Sequence, residues 1–244
     1  MVVIPAVDLK GGKCVRLFQG KMDQETVFSD TPEKMAALWQ KKGAQIIHVV
    51  DLDGAVRRMP QNVEAVQNIV REVDIPIQLG GGIRDMDTIK FYLDLGVKRV
   101  ILGTAAQKNP EFLQRACDCF PGAILAGIDA RDEYVAVDGW TEKTSDSPFE
   151  LAMKVEKAGV AAIVFTDISR DGMRMGPNLE STRRMCRAVN VSVICAGGVT
   201  TINDIVNLRG LHEPNLWGVI TGRAIYEGTL DLTEALQQAA EASA

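Results

Sequence analysis

Short apolar runs rich in β-branched residues recur along the chain, each followed by a longer stretch with helical character. The first, Val2–Val7, stops at a carboxylate, Asp8. An apolar run of this length predicts a strand buried on both faces, as in a parallel sheet. Seven more follow, at Ile46–Val50, Ile75–Leu79, Arg99–Leu102, Ala123–Ile128, Ala161–Phe165, Ser192–Cys195 and Leu216–Ile220. Thr31-Pro32-Glu33 predicts a helix start, with Thr as N-cap and Pro at the first helical position, and Gly43 just past Lys42 predicts its end. Further helices are expected over about Asn62–Glu72, from an Asp85 cap to Gly96, and from Asn109-Pro110-Glu111. Others are expected from Ser147-Pro148 to Gly159, with Glu150 in the capping-box position, after Pro177-Asn178, over Ile202–Leu208 and over Asp231–Ala242. Lys13–Leu17 and Tyr134–Val137 read as short additional strands inside loops.

Eight strands alternating strictly with eight helices predict a parallel sheet with helices packed outside. Eight such units in 244 residues predict a closed (β/α)₈ TIM barrel, an α/β fold, as a single domain over 1–244. An open doubly wound sheet is disfavoured, because no Gly-x-Gly-x-x-Gly follows the first strand. The two halves also match loop by loop, at offsets of about 120 residues. Asp8 pairs with Asp129, Asp51 with Asp167, Gly81-Gly82-Ile83 with Gly197-Gly198-Val199, and Gly103-Thr104-Ala105 with Gly222-Arg223-Ala224. The chain therefore reads as two half-barrels, about 1–120 and 121–244.

Composition narrows the function. With a net charge of −5 and no basic tract, nucleic acid and anionic membrane are poor partners. No apolar stretch reaches the roughly 18 residues of a membrane span, and no signal peptide precedes the first strand. Cys14, Cys117, Cys119, Cys186 and Cys195 lack zinc-type spacing and read as reduced thiols in a cytoplasmic protein. A monomer is expected.

Strands one and five lie opposite each other in an eight-stranded barrel, so Asp8 and Asp129 face one another across the mouth. Two carboxylates flanking one site suit general acid–base chemistry. No His cluster accompanies them, so a metal ranks below that reading. Gly81, Gly82, Gly103 and Thr104 on one side, and Gly197, Gly198, Gly222 and Arg223 on the other, predict two anion cups of glycine turns and helix N-termini. A long ligand with a phosphate at each end would then span the two aspartates. Arg16, His48, Arg84, Trp140 and Thr166 are further candidates for substrate contact. For all but Thr166 a bland role is available: His48 as a core histidine, Trp140 as loop packing, the arginines as surface ion pairs.

The phrase Ile4-Pro5-Ala6-Val7-Asp8-Leu9-Lys10-Gly11-Gly12-Lys13-Cys14-Val15-Arg16-Leu17 resembles the phosphoribosylformimino-5-aminoimidazole carboxamide ribotide isomerase family of histidine biosynthesis. So do His48–Ala55, Gly80–Arg84, Thr166–Gly172 and Gly176-Pro177-Asn178, and the likeness covers essentially the whole chain. The resemblance implies a (β/α)₈ barrel with half-barrel symmetry that converts an aminoaldose to an aminoketose without cofactor or metal. It maps catalytic roles onto Asp8 and Asp129, phosphate loops onto the glycine cups together with Gly172, and a strand-six pair onto Thr166 and Asp171. In the implied mechanism Asp129 protonates the ribose ring oxygen and Asp8 removes the proton from C2. Two positions depart from many members, Ala196 where Ser is common and Met173 where Thr is. The sister cyclase, imidazole glycerol phosphate synthase, usually reads Cys-Leu-Asp where this chain has Ala6-Val7-Asp8, and ranks second. A bifunctional isomerase that also accepts phosphoribosylanthranilate is a third reading. A non-catalytic sugar-phosphate-binding barrel is the alternative of a different class, disfavoured because binding alone needs neither aspartate.

Overall fold

The computed structural model describes residues 1–240 apart from 19–20, 132–133, 138–141, 144–145 and 174. Eight parallel strands close into a ring: Val2–Lys10, Ile47–Asp51, Ile77–Gly80, Arg99–Leu102, Ile124–Arg131, Ala162–Asp167, Ser192–Ala196 and Leu216–Thr221. Each pairs with its neighbours in chain order. The ring shuts where Val2–Ile4 lie beside Gly218–Ile220. Helices Pro32–Lys41, Val63–Glu72, Met86–Leu95, Pro110–Cys119, Pro148–Lys157, Leu179–Ala188, Ile202–Arg209 and Leu232–Ala240 connect successive strands or follow the last. No helix among the described residues is long and apolar enough to cross a membrane.

Alternation along each strand sorts side chains into two cores. Outward residues such as Val3, Val7, Ile47, Leu79 and Val219 pack against the helices. Inward residues fill the lumen, among them Ile4, Ile101, Leu125, Val164, Ile194 and Ile220. At the N-terminal floor the Arg99 guanidinium lies 5.1 Å from the Trp217 ring centre, across the barrel from strand four to strand eight. The lumen is thus a filled core, as expected for eight strands.

Helix ends show where local chemistry decides. Asp85, Asn109 and Asn178 each accept a bond from the backbone N–H three residues on, and Gly96 closes its helix at φ +112°. Thr31 and Ser147 occupy N-cap positions but make no side-chain cap bond, so the capping box expected at Ser147 and Glu150 does not form. The Thr31 hydroxyl instead lies 3.2 Å from that of Ser29. At Thr201 the Asp204 carboxylate reaches back to accept from the Thr201 backbone N–H at 2.8 Å.

Strands one and five run past their aspartates, to Lys10 and Arg131, and continue into antiparallel ribbons with Lys13–Phe18 and Tyr134–Val137. A third ribbon strand, Lys21–Ser29, and three short helices, Leu52–Arg57, Thr104–Lys108 and Arg223–Glu227, go beyond the elements expected from the sequence.

The matched pair Asp51 and Asp167 serves loop architecture. Asp51 is fully buried and accepts bonds from the backbone N–H groups of Gly54, Gln61 and Asn62 and from Asn62 Nδ2, at 2.6–3.0 Å. Asp167 accepts from Ser169 and from Asn178 Nδ2 at 2.8 Å. Each aspartate grips an asparagine eleven residues on, so the loops after strands two and six share one brace.

Candidate active site

The hairpin that begins with strand one builds one wall of the site. After Lys10 the chain turns at Gly11 and Gly12, both left-handed, and runs back so that Val15 pairs with Asp8. Arg16 is thereby returned to the strand it left. Its Nη1 donates to Asp8 Oδ2 at 2.5 Å and its Nη2 to the Ala6 carbonyl at 2.7 Å. One face of the guanidinium lies over the Tyr226 ring at 5.1 Å. A Cβ on Gly222 would fall 2.4 Å from Arg16 Cζ, so the bare glycine is what gives Arg16 its seat. Burial pushes the Asp8 carboxyl above the ordinary aspartate range, and the adjacent Arg16 charge and hydrogen bond restrain that rise.

Strand five brings Asp129 to the opposite wall, in register with Thr166 of strand six. Asp171, from the loop after strand six, joins them at the mouth. Burial pushes its carboxyl up to about 6; the Arg16 charge opposes the rise, and the negative charges of Asp8 and Asp129 add to it. His48 is also buried, and its pKa falls to about 3 through burial and the Arg16 charge, so its imidazole is neutral at physiological pH. Gln78 Nε2 lies 3.1 Å from His48 Nδ1.

The glycine turns repeat across the barrel. Gly81 has φ +104° and a Cβ there would meet the Asp51 carbonyl at 2.2 Å; Gly197 has φ +89° and would meet the Asp167 carbonyl at 2.6 Å. At Gly82 the obstacle is the backbone of Met59 and Gly54, at Gly198 that of Gly176. These four glycines are demanded by backbone packing before any ligand is considered. Gly82→Val should therefore cost several kcal/mol and lose folded protein, a stronger effect than blocked ligand approach alone. Gly103 differs: the nearest atom to its Cβ position is a carbonyl at 3.9 Å. Gly103→Ala is expected to keep stability within about 1 kcal/mol and to raise the KM by intruding on the cup. Thermal melts and steady-state kinetics on the two variants separate these outcomes.

A cavity of about 300 Å³ at the C-terminal ends of the strands joins all these parts. Asp8, Arg16, His48, Asp129, Thr166 and Asp171 line its centre. Gly81, Gly82, Arg84, Gly103 and Thr104 line one end; Gly172, Gly197, Gly198, Gly222 and Arg223 line the other. Arg223 also donates from Nε to Glu227 at 2.8 Å. Trp140 lies outside the described residues. All five cysteines are free thiols. Among the described residues no group of three or more His, Cys, Asp or Glu side chains is disposed to hold a metal ion. Two features escaped the sequence reading: Gln78 beneath His48, marked only by one amide inside an apolar strand, and Gly222 as the seat of Arg16, for which the sequence holds no local signal.

The family model described as histidine biosynthesis protein matches residues 2–231. A protein of Desulfosudis oleivorans named 1-(5-phosphoribosyl)-5-((5-phosphoribosylamino)methylideneamino) imidazole-4-carboxamide isomerase is 55% identical over 236 residues, covering 97% of this chain and 94% of its own. Proteins of the same name from Desulfatibacillum aliphaticivorans and Geobacter sulfurreducens are 55% and 52% identical, covering 99% and 97% of this chain and 96% and 97% of their own. A match over nearly the whole chain, on a closed barrel with its polar groups gathered at one mouth, places this chain in the histidine biosynthesis protein family.

Proposed function

We propose that this protein catalyses the isomerase reaction for which its relatives are named, an aminoaldose-to-aminoketose rearrangement of a substrate with a phosphoribosyl group at each end. The observation that carries this reading is the cavity itself, which runs between two matched glycine turns with carboxylates at its middle. The relatives' name contains two phosphoribosyl groups, one for each turn. The cups supply backbone donors for the phosphates, and two fixed ends hold the ribose carbons between the carboxylates.

Asp8 is the base that takes the C2 proton. Arg16 holds its carboxylate in place and offsets part of the penalty of burial. The acid must hold a proton when substrate arrives. Asp129 faces Asp8 across the barrel and is the acid implied by the family resemblance. Asp171 is the second reading, favoured by one observation: its carboxyl keeps its proton up to about pH 6. Phosphate charge nearby raises that value further, so the proton is retained in the loaded site. The acid protonates the ring oxygen, the ring opens to a protonated imine, and loss of the C2 proton to Asp8 gives the enolamine that becomes the ketose. No step calls on a cofactor or metal.

Purified protein assayed with the bis-phosphoribosyl imidazole carboxamide substrate, with phosphoribosylanthranilate and with the cyclase substrate tests the reading. Turnover of the first is expected. Turnover of the cyclase substrate alone would overturn it, and turnover of both isomerase substrates would favour the bifunctional alternative.

A further inference from the structure

Gln78 and His48 form a polar couple facing inward, where the next inward positions on the same strands are Val50 and Gly80. They are register partners on strands three and two. Gln78 is fully buried, and its Oε1 has no hydrogen-bond partner among the described residues. Burying an amide that is only half satisfied costs stability.

The other half of the barrel shows what the fold would use instead. Aligning Asp51 with Asp167 places Val164 opposite His48, and aligning Gly81 with Gly197 places Ile194 opposite Gln78. Val164 and Ile194 are themselves register partners, and both belong to the lumen core. One half thus solves this layer with two apolar side chains, and the other keeps a costly polar pair. Both His48 and its counterpart Val164 line the cavity, so the two walls present the same site with one polar and one apolar side chain.

We propose that Gln78 is a positioning residue for the isomerase reaction: by donating from Nε2 to His48 Nδ1 it fixes the imidazole as the Nε2–H tautomer, which offers one neutral donor to an oxygen acceptor in the middle of the substrate. A neutral imidazole bears a hydrogen on one nitrogen only, so accepting at Nδ1 leaves Nε2 as the donor. The acceptor class is a sugar hydroxyl, the ring oxygen or a carboxamide oxygen; the phosphates are served by the cups at either end. This role rests on the proposed isomerase function, while the tautomer itself is measurable without turnover.

The chain has only two histidines, and His212 is exposed, so ¹⁵N-histidine labelling isolates His48 and supplies an internal reference. Long-range ¹H–¹⁵N correlation on the wild-type protein is expected to show His48 protonated at Nε2 alone. Protonation at Nδ1 overturns the proposal without any variant. Gln78→Leu is expected to release the tautomer preference and to lower kcat/KM by roughly 2–12-fold, the scale of one hydrogen bond. The double variant His48→Val with Gln78→Ile copies the other half of the barrel, and should melt no lower than wild type while losing more activity than Gln78→Leu. A Gln78→Leu protein with unchanged tautomer and unchanged kcat/KM overturns the role, as does a double variant with wild-type kcat/KM. Absence of isomerase turnover in the wild type, with the Nε2–H tautomer present, would sink the functional reading and leave the tautomer assignment standing.

Discussion

Asp8→Asn is expected to bind the substrate with little change and to turn it over roughly 10²–10⁴-fold more slowly, the range for loss of a general base. The amide keeps the shape of the side chain and can still accept from Arg16 Nη1, which lies 2.5 Å from Asp8 Oδ2 in the wild type. What it cannot do is take a proton from carbon. The variant also removes a buried charge from the hairpin wall and leaves the Arg16 guanidinium without its counter-ion. Some loss of stability is therefore expected, because breaking one partner of a buried pair exposes the cost of the other. Single-turnover measurements with saturating substrate separate the chemical step from binding. Wild-type single-turnover rates would remove Asp8 from the mechanism.

Asp171→Asn should divide stability from activity in the opposite sense. In the folded chain this carboxyl holds its proton up to about pH 6, through burial and the charges of Asp8 and Asp129. In the unfolded chain it ionises near the ordinary value of about 3.9. Between those values the folded state binds more protons, so wild-type stability falls as pH rises through that window and the penalty is complete above it. Asn carries no charge and escapes the penalty. The variant is expected to be more stable than wild type at pH 8, by up to about 3 kcal/mol, and to show little difference at pH 4. Denaturant midpoints at the two pH values check this. If Asp171 is the acid, the variant loses turnover roughly 10²–10⁴-fold, and wild-type kcat/KM has an alkaline limb near pH 6 that Asp129→Asn keeps but moves to lower pH, because it removes one of the charges that raise it. Full activity in Asp171→Asn returns the acid role to Asp129.

The barrel was legible because each strand is apolar through most of its length and each glycine turn falls at a strand end, as at Leu79-Gly80-Gly81-Gly82. The ribbon strand Lys21–Ser29 was not, since residues 23–27 are exposed and polar residues dominate it; an exposed ribbon imposes no alternation. The short helices Thr104–Lys108 and Arg223–Glu227 span barely more than one turn, too little for a periodic signal. At the site, the facing aspartates followed from strand count alone. The company Asp171 keeps with Asp8 and Asp129 depends on the loop after strand six folding back over strands one and five, which no local pattern encodes. The sequence marks the glycines as anion binders, whereas Gly81, Gly82, Gly197 and Gly198 are fixed first by the backbones they press against.

The floor of the barrel carries a kinetic consequence. Arg99 stacked on Trp217, beneath a lumen filled by residues such as Leu125 and Ile194, packs the far end of the barrel among the described residues. Substrate and product then share the cavity at the C-terminal ends of the strands. A molecule that arrives finds it either vacant or still held by the last one converted, so the product competes with the substrate for the free enzyme and slows the forward reaction as it accumulates.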